Sequence, residues 1–455
     1  MSANAKSVAE MLAERVVALR AEDIPAAVRE RCRDLLVDVA GLCVAARNRD
    51  YVASLLASLD RGGPCTALGH TDGFSPENAA LLNGTAAHGE DFDDTFEGGP
   101  VHSGAVIVPT VLAACERFGR SGSDALLGIA TGVETLCRLS LVAPKRIHDA
   151  GFHPTAVLGA MAAAVAVSKT IGANEKQTVD ALGIAGSMAG GIIEYLAEGA
   201  WTKRLHAGWA AHSGLHAARL AREGFVGPRT VLEGRHGLFF AFAHDRNGNF
   251  EALTNRFADE WHVTGLTFKP YATGTMNQPY IDCALRLAKR GVGAKDVAEV
   301  LCETAEGYVQ RLWEPLAAKQ RPPNGYAAKF STPFNIAVAF VTGGAGLDAF
   351  SEATVHDARI LDLAGKVRYV VDPQNPYPRA YTGHIRMKLR DGRVLEERQP
   401  HIRGGIHEPL AREEIERKFC GNASYGGWTD PLAKQFLAFA ARAFDGSLDL
   451  IPFRR

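Results

Sequence analysis

Residues 88–104 read HGEDFDDTFEGGPVHSG, setting Asp91, Asp93 and Asp94 between two histidines, His88 and His102. Carboxylates this close to imidazoles can bind a hard cation, accept a phosphoryl group, or orient a histidine for proton transfer. The core of the stretch is D-x-D-x-T, a pattern in which one aspartate can serve as nucleophile and another as Mg²⁺ ligand. The plain alternative is a solvated acidic turn at a helix end. If 80–95 is helical, His88, Asp91 and Thr95 fall at i, i+3 and i+7 on one face, where the acid would fix the tautomer of the ring.

Other groups of the same kind follow. His102 stands just before "SGAVIVPTVLAA", a small-residue lead into an apolar helix, where the helix N-terminus favours a neutral imidazole. His153 precedes Pro154 in "GFHPTAVLGAMAAA"; proline suits the first helical position, so His153 falls at or beside the N-cap, a place where a histidine can equally be structural. In "EGAWTKRLHAGWAAHSG", Lys203 and His206 are three apart. "LTFKPYATGTMNQPYIDCA" holds Lys269 and Tyr271 near a change of texture along the chain, where pockets commonly form. Together these are His, Asp and Lys groups at helix beginnings, without a Ser-His-Asp pattern or a cysteine nucleophile. That inventory suits proton transfer on a carboxylate-bearing substrate, without metal or nucleotide.

The elements that must position them are helical from residue 7 to about 245: apolar residues recur at three and four, and breaks fall at "LDRGGP", "FGRSGSD" and "REGFVGPR". "PENAALLNGTAAHG", "SDALLGIATGVETLCRLS" and "KQTVDALGIAGSMAGGIIEYLA" carry small residues three or four apart, which lets helices approach closely. After about 265, "DVAEVLCETAEGYV" and "KVRYVVDP" read as strands and "GHIRMKLRDGRVLEERQ" as a hairpin turning at Asp391–Gly392. "STPFNIAVAFVTGGAG" is a helix between them, and two helices close the chain. The expected fold is mainly α. A large all-helical domain takes residues 1–265 and 401–455, and a smaller α+β lid domain takes 266–400. A phosphoryl-transfer aspartate would follow an apolar strand, as in haloacid dehalogenase phosphatases, but here "LLNGTAAHGE" precedes it. "GIAGSMAGG" has neither the spacing nor the preceding strand of a phosphate loop.

A chain of 455 residues exceeds the size at which single cores stop growing, so two domains are expected. Hydrophobic residues make up 47% and charged residues 22%, an ordinary globular balance, and the net charge of −1 gives no basic bias for nucleic acid. Eight scattered cysteines without a CxxC pair suit reduced core thiols. The N-terminal "MSANAKSVAEMLAERVVALRAEDI" has an amphipathic pattern rather than a signal-peptide core. The most apolar run, 156–167, is shorter than the ~20 residues a membrane span needs. A soluble, cytoplasmic protein is expected.

In order along the chain, "AAHGEDFDDTF…HSGAVIVP", "GFHPTAVLGAMAAA", "TKRLHAGWAAHSGLHAARLAREGFVGPRTVLEGRHGLFFAF", "KPYA" and "REEIERKFCGNAS" resemble the motifs of the MmgE/PrpD family. That family includes 2-methylcitrate dehydratase, cis-aconitate decarboxylase and iminodisuccinate epimerase. The resemblance implies a helical domain with an α+β lid, a homodimer, no metal or organic cofactor, and a small di- or tricarboxylate substrate. By motif it points to Asp91, Thr95, His102, His153, Lys203 and Lys269 as site residues, with Tyr308 from "EGYV". One departure stands out. The dehydratase and decarboxylase branches carry a histidine in the lid segment after the lysine, whereas residues 270–280 here are "PYATGTMNQPY". Tyr271, Thr273 and Thr275 supply hydroxyls, which are far poorer acids near neutral pH than imidazolium.

The expected activity is a cofactor-independent lyase that removes a proton α to a carboxylate and eliminates water from a hydroxy-polycarboxylate. His102 or His153 is the base and Asp91 orients a histidine or binds substrate. Lys203 and Lys269 hold carboxylates, with Thr95, His206, Tyr271 and Tyr308 completing the contacts. The alternatives are an epimerase of an imino- or amino-dicarboxylate, a decarboxylase of the cis-aconitate type, and a non-catalytic carboxylate-binding protein.

Overall fold

A computed structural model describes residues 5–455; the first four residues of the N-terminal amphipathic pattern lie outside the described residues. The chain forms two compact units. One takes in the chain through Gly89, then Asp93–Leu266 and Ala411–Arg455; the other comprises Glu90–Phe92 and Thr267–Leu410. The mainly α architecture expected from the helical and strand patterns is the one observed.

The first unit is helical. Its main helices are Val8–Ala18, Ala26–Ala46, Pro76–His88, Gly104–Phe118, Gly122–Val142, Pro154–Thr170, Glu175–Met188, Thr202–Arg222, Arg412–Tyr425 and Asp430–Ala440. Their starts follow local chemistry. Ser7 with Glu10, Ser121 with Asp124 and Asn174 with Gln177 form reciprocal capping boxes, which satisfy backbone N–H groups that a helix start leaves without partners. Pro154 opens its helix where no N–H is needed, and His153 is the N-cap.

Small residues set how closely these helices meet. A Cβ on Gly208 would lie 2.2 Å from the Leu81 carbonyl oxygen, and one on Gly214 would lie 2.4 Å from the Ala163 Cβ. The Thr202–Arg222 helix therefore lies backbone to backbone on Pro76–His88 and Pro154–Thr170, which brings Lys203 and His206 close to His88 and His153. Gly122–Val142 is long and apolar enough to cross a membrane, but 89% of its apolar window is buried inside the structure. Within it, Arg138 pairs with Glu134 and donates to the carbonyls of Ala252, Asn255, Arg256 and Glu260, pinning an irregular loop. Among the described residues no cysteine is paired, and only Cys420 is exposed.

The second unit carries a four-stranded sheet in the order Val367–Val371, Val297–Thr304, Gly383–Leu389, Val394–Gln399. The first pair is parallel and the others antiparallel. Alternation along the strands buries Val300, Cys302, Ile385 and Met387 on one face. The hairpin turns where expected, with Gly392 at φ 92°, a left-handed conformation that glycine adopts freely. Helices Gln278–Ala288 and Thr332–Thr342 complete its core.

Candidate active site

The chain leaves the Pro76–His88 helix at Gly89, so the expected continuation through 95 does not occur. Asp91 has φ 54°, a left-handed conformation no α-helix can contain, and Thr95 lies in a two-residue strand. The predicted common face of His88, Asp91 and Thr95 is thereby corrected. The acid that meets His88 is Asp93, whose carboxylate lies 2.7 Å from His88 Nδ1. Because the helix stops, the acids that follow turn toward partners outside it.

Asp94 caps the next helix. It accepts from Ser103 N at 3.1 Å, Ser103 Oγ at 2.8 Å and Gly104 N at 2.8 Å. Burial, together with the charge of Asp93, pushes its carboxyl up to about 7, while the Ser103 and Gly104 hydrogen bonds pull the other way. The carbonyl of Asp94 lies 2.7 Å from His102 Nδ1. A carbonyl only accepts, so Nδ1 carries the proton and the lone pair of the ring sits on Nε2. Sequence reading placed His102 correctly before a helix; what fixes its tautomer is a backbone carbonyl.

Four imidazoles gather here. Ring centroids lie 4.9 Å apart for His88 and His102, 5.6 Å for His88 and His153, 6.3 Å for His102 and His153, and 5.3 Å for His153 and His206. The Nδ1 atoms of His153 and His206 are 3.2 Å apart, so one donates to the other. Lys203, buried, sits one turn before His206, both inside the Thr202–Arg222 helix. Burial, then the charges of His88, Lys203, His206 and His102, holds His153 well below the usual imidazole range. Burial, then His88 and Lys203, lowers His206 to about 4. At neutral pH both rings are neutral bases beside a cation.

Two further contributors were not singled out from the sequence. The Tyr195 ring lies 6.3 Å from His153 and 5.7 Å from His206. Gly191, at φ 124°, gives the His153 N–H its acceptor, and a Cβ there would lie 3.3 Å from the His206 ring. The glycines of "SMAGG", read only for their failure as a phosphate loop, thus let the backbone pass over an imidazole. His88, Asp93 and His102 also place one ligand-capable atom each within 4.8 Å of one another, the one such group among the described residues. Their Nδ1 atoms are engaged with Asp93 and with the Asp94 carbonyl, an arrangement suited to donating imidazoles.

In the second unit, Lys269 is 1% exposed and its Nζ donates to the Asp91 carbonyl at 3.0 Å. The Tyr271 hydroxyl donates to Asp282 at 2.6 Å, and burial with the Asp282 charge pushes the phenol far up. Thr273 gives its hydroxyl proton to the Lys329 carbonyl at 2.6 Å. Both hydroxyls thus give their protons to groups of the second unit itself. Tyr308 is fully buried, edge-on to Tyr377 with centroids 4.7 Å apart.

Known proteins match the chain along most of its length. Residues 10–251 match the MmgE/PrpD N-terminal domain and residues 271–431 the MmgE/PrpD C-terminal domain. The chain is 28% identical over 432 residues to the cis-aconitate decarboxylase-like protein oryM of Aspergillus oryzae, covering 90% of this chain and 89% of that one. It is 28% identical over 443 residues to the cis-aconitate decarboxylase of Homo sapiens, covering 92% and 88%. It is 28% identical over 461 residues to the cis-aconitate decarboxylase of Aspergillus terreus, covering 95% and 92%. With both domain models matched across most of its length, the chain belongs to the MmgE/PrpD family.

Proposed function

We propose that this protein is a lyase that needs no metal or organic cofactor, takes a proton from the carbon α to a carboxylate of a small di- or tricarboxylate, and eliminates water from a hydroxy-polycarboxylate. One observation carries the reading: His102 is locked by the Asp94 carbonyl with its lone pair on Nε2, within a group of buried imidazoles beside the ammonium of Lys203. His102 or His153 accepts the proton. The C–H electron pair moves into the carboxylate as an aci-carboxylate, whose added charge the Lys203 ammonium stabilises. Burial and neighbouring charges keep the His153 ring neutral and ready to accept at pH 7. Once protonated it is a strong acid, able to return that proton to the departing hydroxyl.

A second reading, decarboxylation of cis-aconitate, is favoured by the names of the relatives. There a C–C bond breaks in place of the C–H bond: CO₂ leaves, and the carbanion it leaves behind takes up a proton. A homodimer and a cytoplasmic location, carried from the family resemblance and the sequence, complete the proposal.

The test is incubation with citrate, 2-methylcitrate, cis-aconitate and related acids in D₂O, with and without EDTA, followed by NMR and CO₂ release. Loss of water, with solvent deuterium exchanging at one carbon and no effect of EDTA, is expected. CO₂ release without water loss selects the second reading. A strict metal requirement, or no turnover of any acid, contradicts both.

A further inference from the structure

Residues 90–92 belong with the second unit, and two buried lysines hold them there. Lys329 Nζ donates to the Glu90 carbonyl at 2.6 Å and to its carboxylate at 2.7 Å, with the two side chains 3% and 5% exposed. Lys269 Nζ donates to the next carbonyl, that of Asp91. Between these grips Asp91 takes φ 54°, a sparsely populated conformation for a residue with a Cβ, which persists only where its surroundings impose it.

Lys329 is tied down at both ends. Its carbonyl accepts from Thr273 Oγ1 at 2.6 Å, Asn277 Nδ2 at 3.0 Å and the Gly274 N–H at 3.2 Å. Thr332 Oγ1 donates in turn to Asn277 Oδ1 at 2.7 Å. The residue thus joins the 271–280 segment, through its backbone, to the acidic loop, through its ammonium. A buried lysine costs stability unless its charge is matched, and here one ammonium is matched by a carboxylate and the carbonyl of the same residue. That chelate fixes Glu90 in both backbone and side chain, which a single hydrogen bond would not do.

We infer that Lys329 is a positioning residue: through Glu90, and together with Lys269, it sets the backbone that presents Asp91, and it links that presentation to the 271–280 segment. It does not itself need to touch substrate. The inference rests on the proposed proton chemistry for its activity readout, and on backbone exchange for a readout independent of it.

The experiment compares wild type with Lys329→Met, Glu90→Gln, Asp91→Asn and the double variant Lys329→Met/Asp91→Asn. The assay acid is whichever of citrate, 2-methylcitrate and cis-aconitate the wild type turns over fastest. Misplacement of a site group by about 1 Å can cost ~10²-fold in rate. Lys329→Met should accordingly lower kcat by roughly 10–100-fold with KM little changed, and Glu90→Gln should do the same more mildly. The double variant should be no slower than Asp91→Asn alone, because both act on one group. Amide hydrogen exchange in a peptide spanning 88–95 should accelerate at least tenfold in Lys329→Met while a peptide from Gly122–Val142 stays protected. Should Lys329→Met not fold, Glu90→Gln carries both readouts. Unchanged exchange at 88–95, or strictly additive losses in the double variant, overturns the inference. A wild type that turns over none of the acids defeats the proposed function instead, leaving the exchange result to decide this inference separately.

Discussion

The imidazole cluster of the helical unit and the lysine-held loop of the α+β unit both bury ionisable groups, but they handle the charge in opposite ways. Around His153 and His206, burial and neighbouring cations keep the rings neutral, so their lone pairs remain able to take protons. Around Glu90, a carboxylate and an ammonium at 2.7 Å match each other, and the pair fixes geometry. Burial without a counter-charge makes a base; burial with one makes a brace. The difference predicts that removing a group from the first cluster changes chemistry, while removing one from the second changes placement.

Among substitutions that leave the proton-accepting histidines in place, the largest departure should come from Lys203→Met. A charge-assisted contact in a dry site is worth ~2–3 kcal/mol, so kcat/KM should fall by roughly 30–150-fold. The Lys203 charge also helps depress His153 and His206, so the acid limb of the pH–rate profile should move to higher pH in the variant. Normal turnover, with early thermal unfolding as the only effect, would place Lys203 with the braces.

Next in size is packing. Gly208→Val would put a side chain where a Cβ already lies 2.2 Å from the Leu81 carbonyl oxygen and 2.3 Å from Thr85 Oγ1. Overpacking of this kind costs ~1–3 kcal/mol. Calorimetry should show a melting temperature lowered by a few degrees, and activity should fall because His206 lies on the displaced helix. Unchanged melting would mean that the helices can separate without loss.

The smallest effect is a pH slope. His206 titrates near 6.5 in the unfolded chain and at about 4 in the folded one, so between those values the unfolded chain binds the additional proton. Its burial therefore makes stability fall as pH drops through that window. In His206→Gln the loss of melting temperature between pH 7 and pH 5 should be smaller than in wild type. An identical slope would show that the ring is protonated in the fold.

How much of this could be read from the sequence follows the range of the interactions. His153 before Pro154 and the Asp391–Gly392 turn obey rules spanning a few residues, and both appear as expected. The acidic stretch was misplaced because helix propensity gives no warning of the left-handed Asp91, which is held by lysines 178 and 239 positions away in sequence from the residues they grip. Lys329, in "GYAAKFSTP", carries no local mark of its role, since its partner becomes visible only when the chain has folded. The Asp94 carbonyl that fixes His102 is likewise invisible, because any residue there would offer one.

The most direct test of the central claim is the rate of C–H deuterium incorporation in D₂O by wild type and His102→Gln, on the acid that wild type turns over fastest. A general base is worth ~10²–10⁴-fold. The account predicts that His102→Gln, correctly folded and still binding the acid, exchanges the α-hydrogen at least a hundredfold more slowly. Exchange at the wild-type rate in that variant would show that the proton is not taken by His102 and that the locked tautomer serves structure alone.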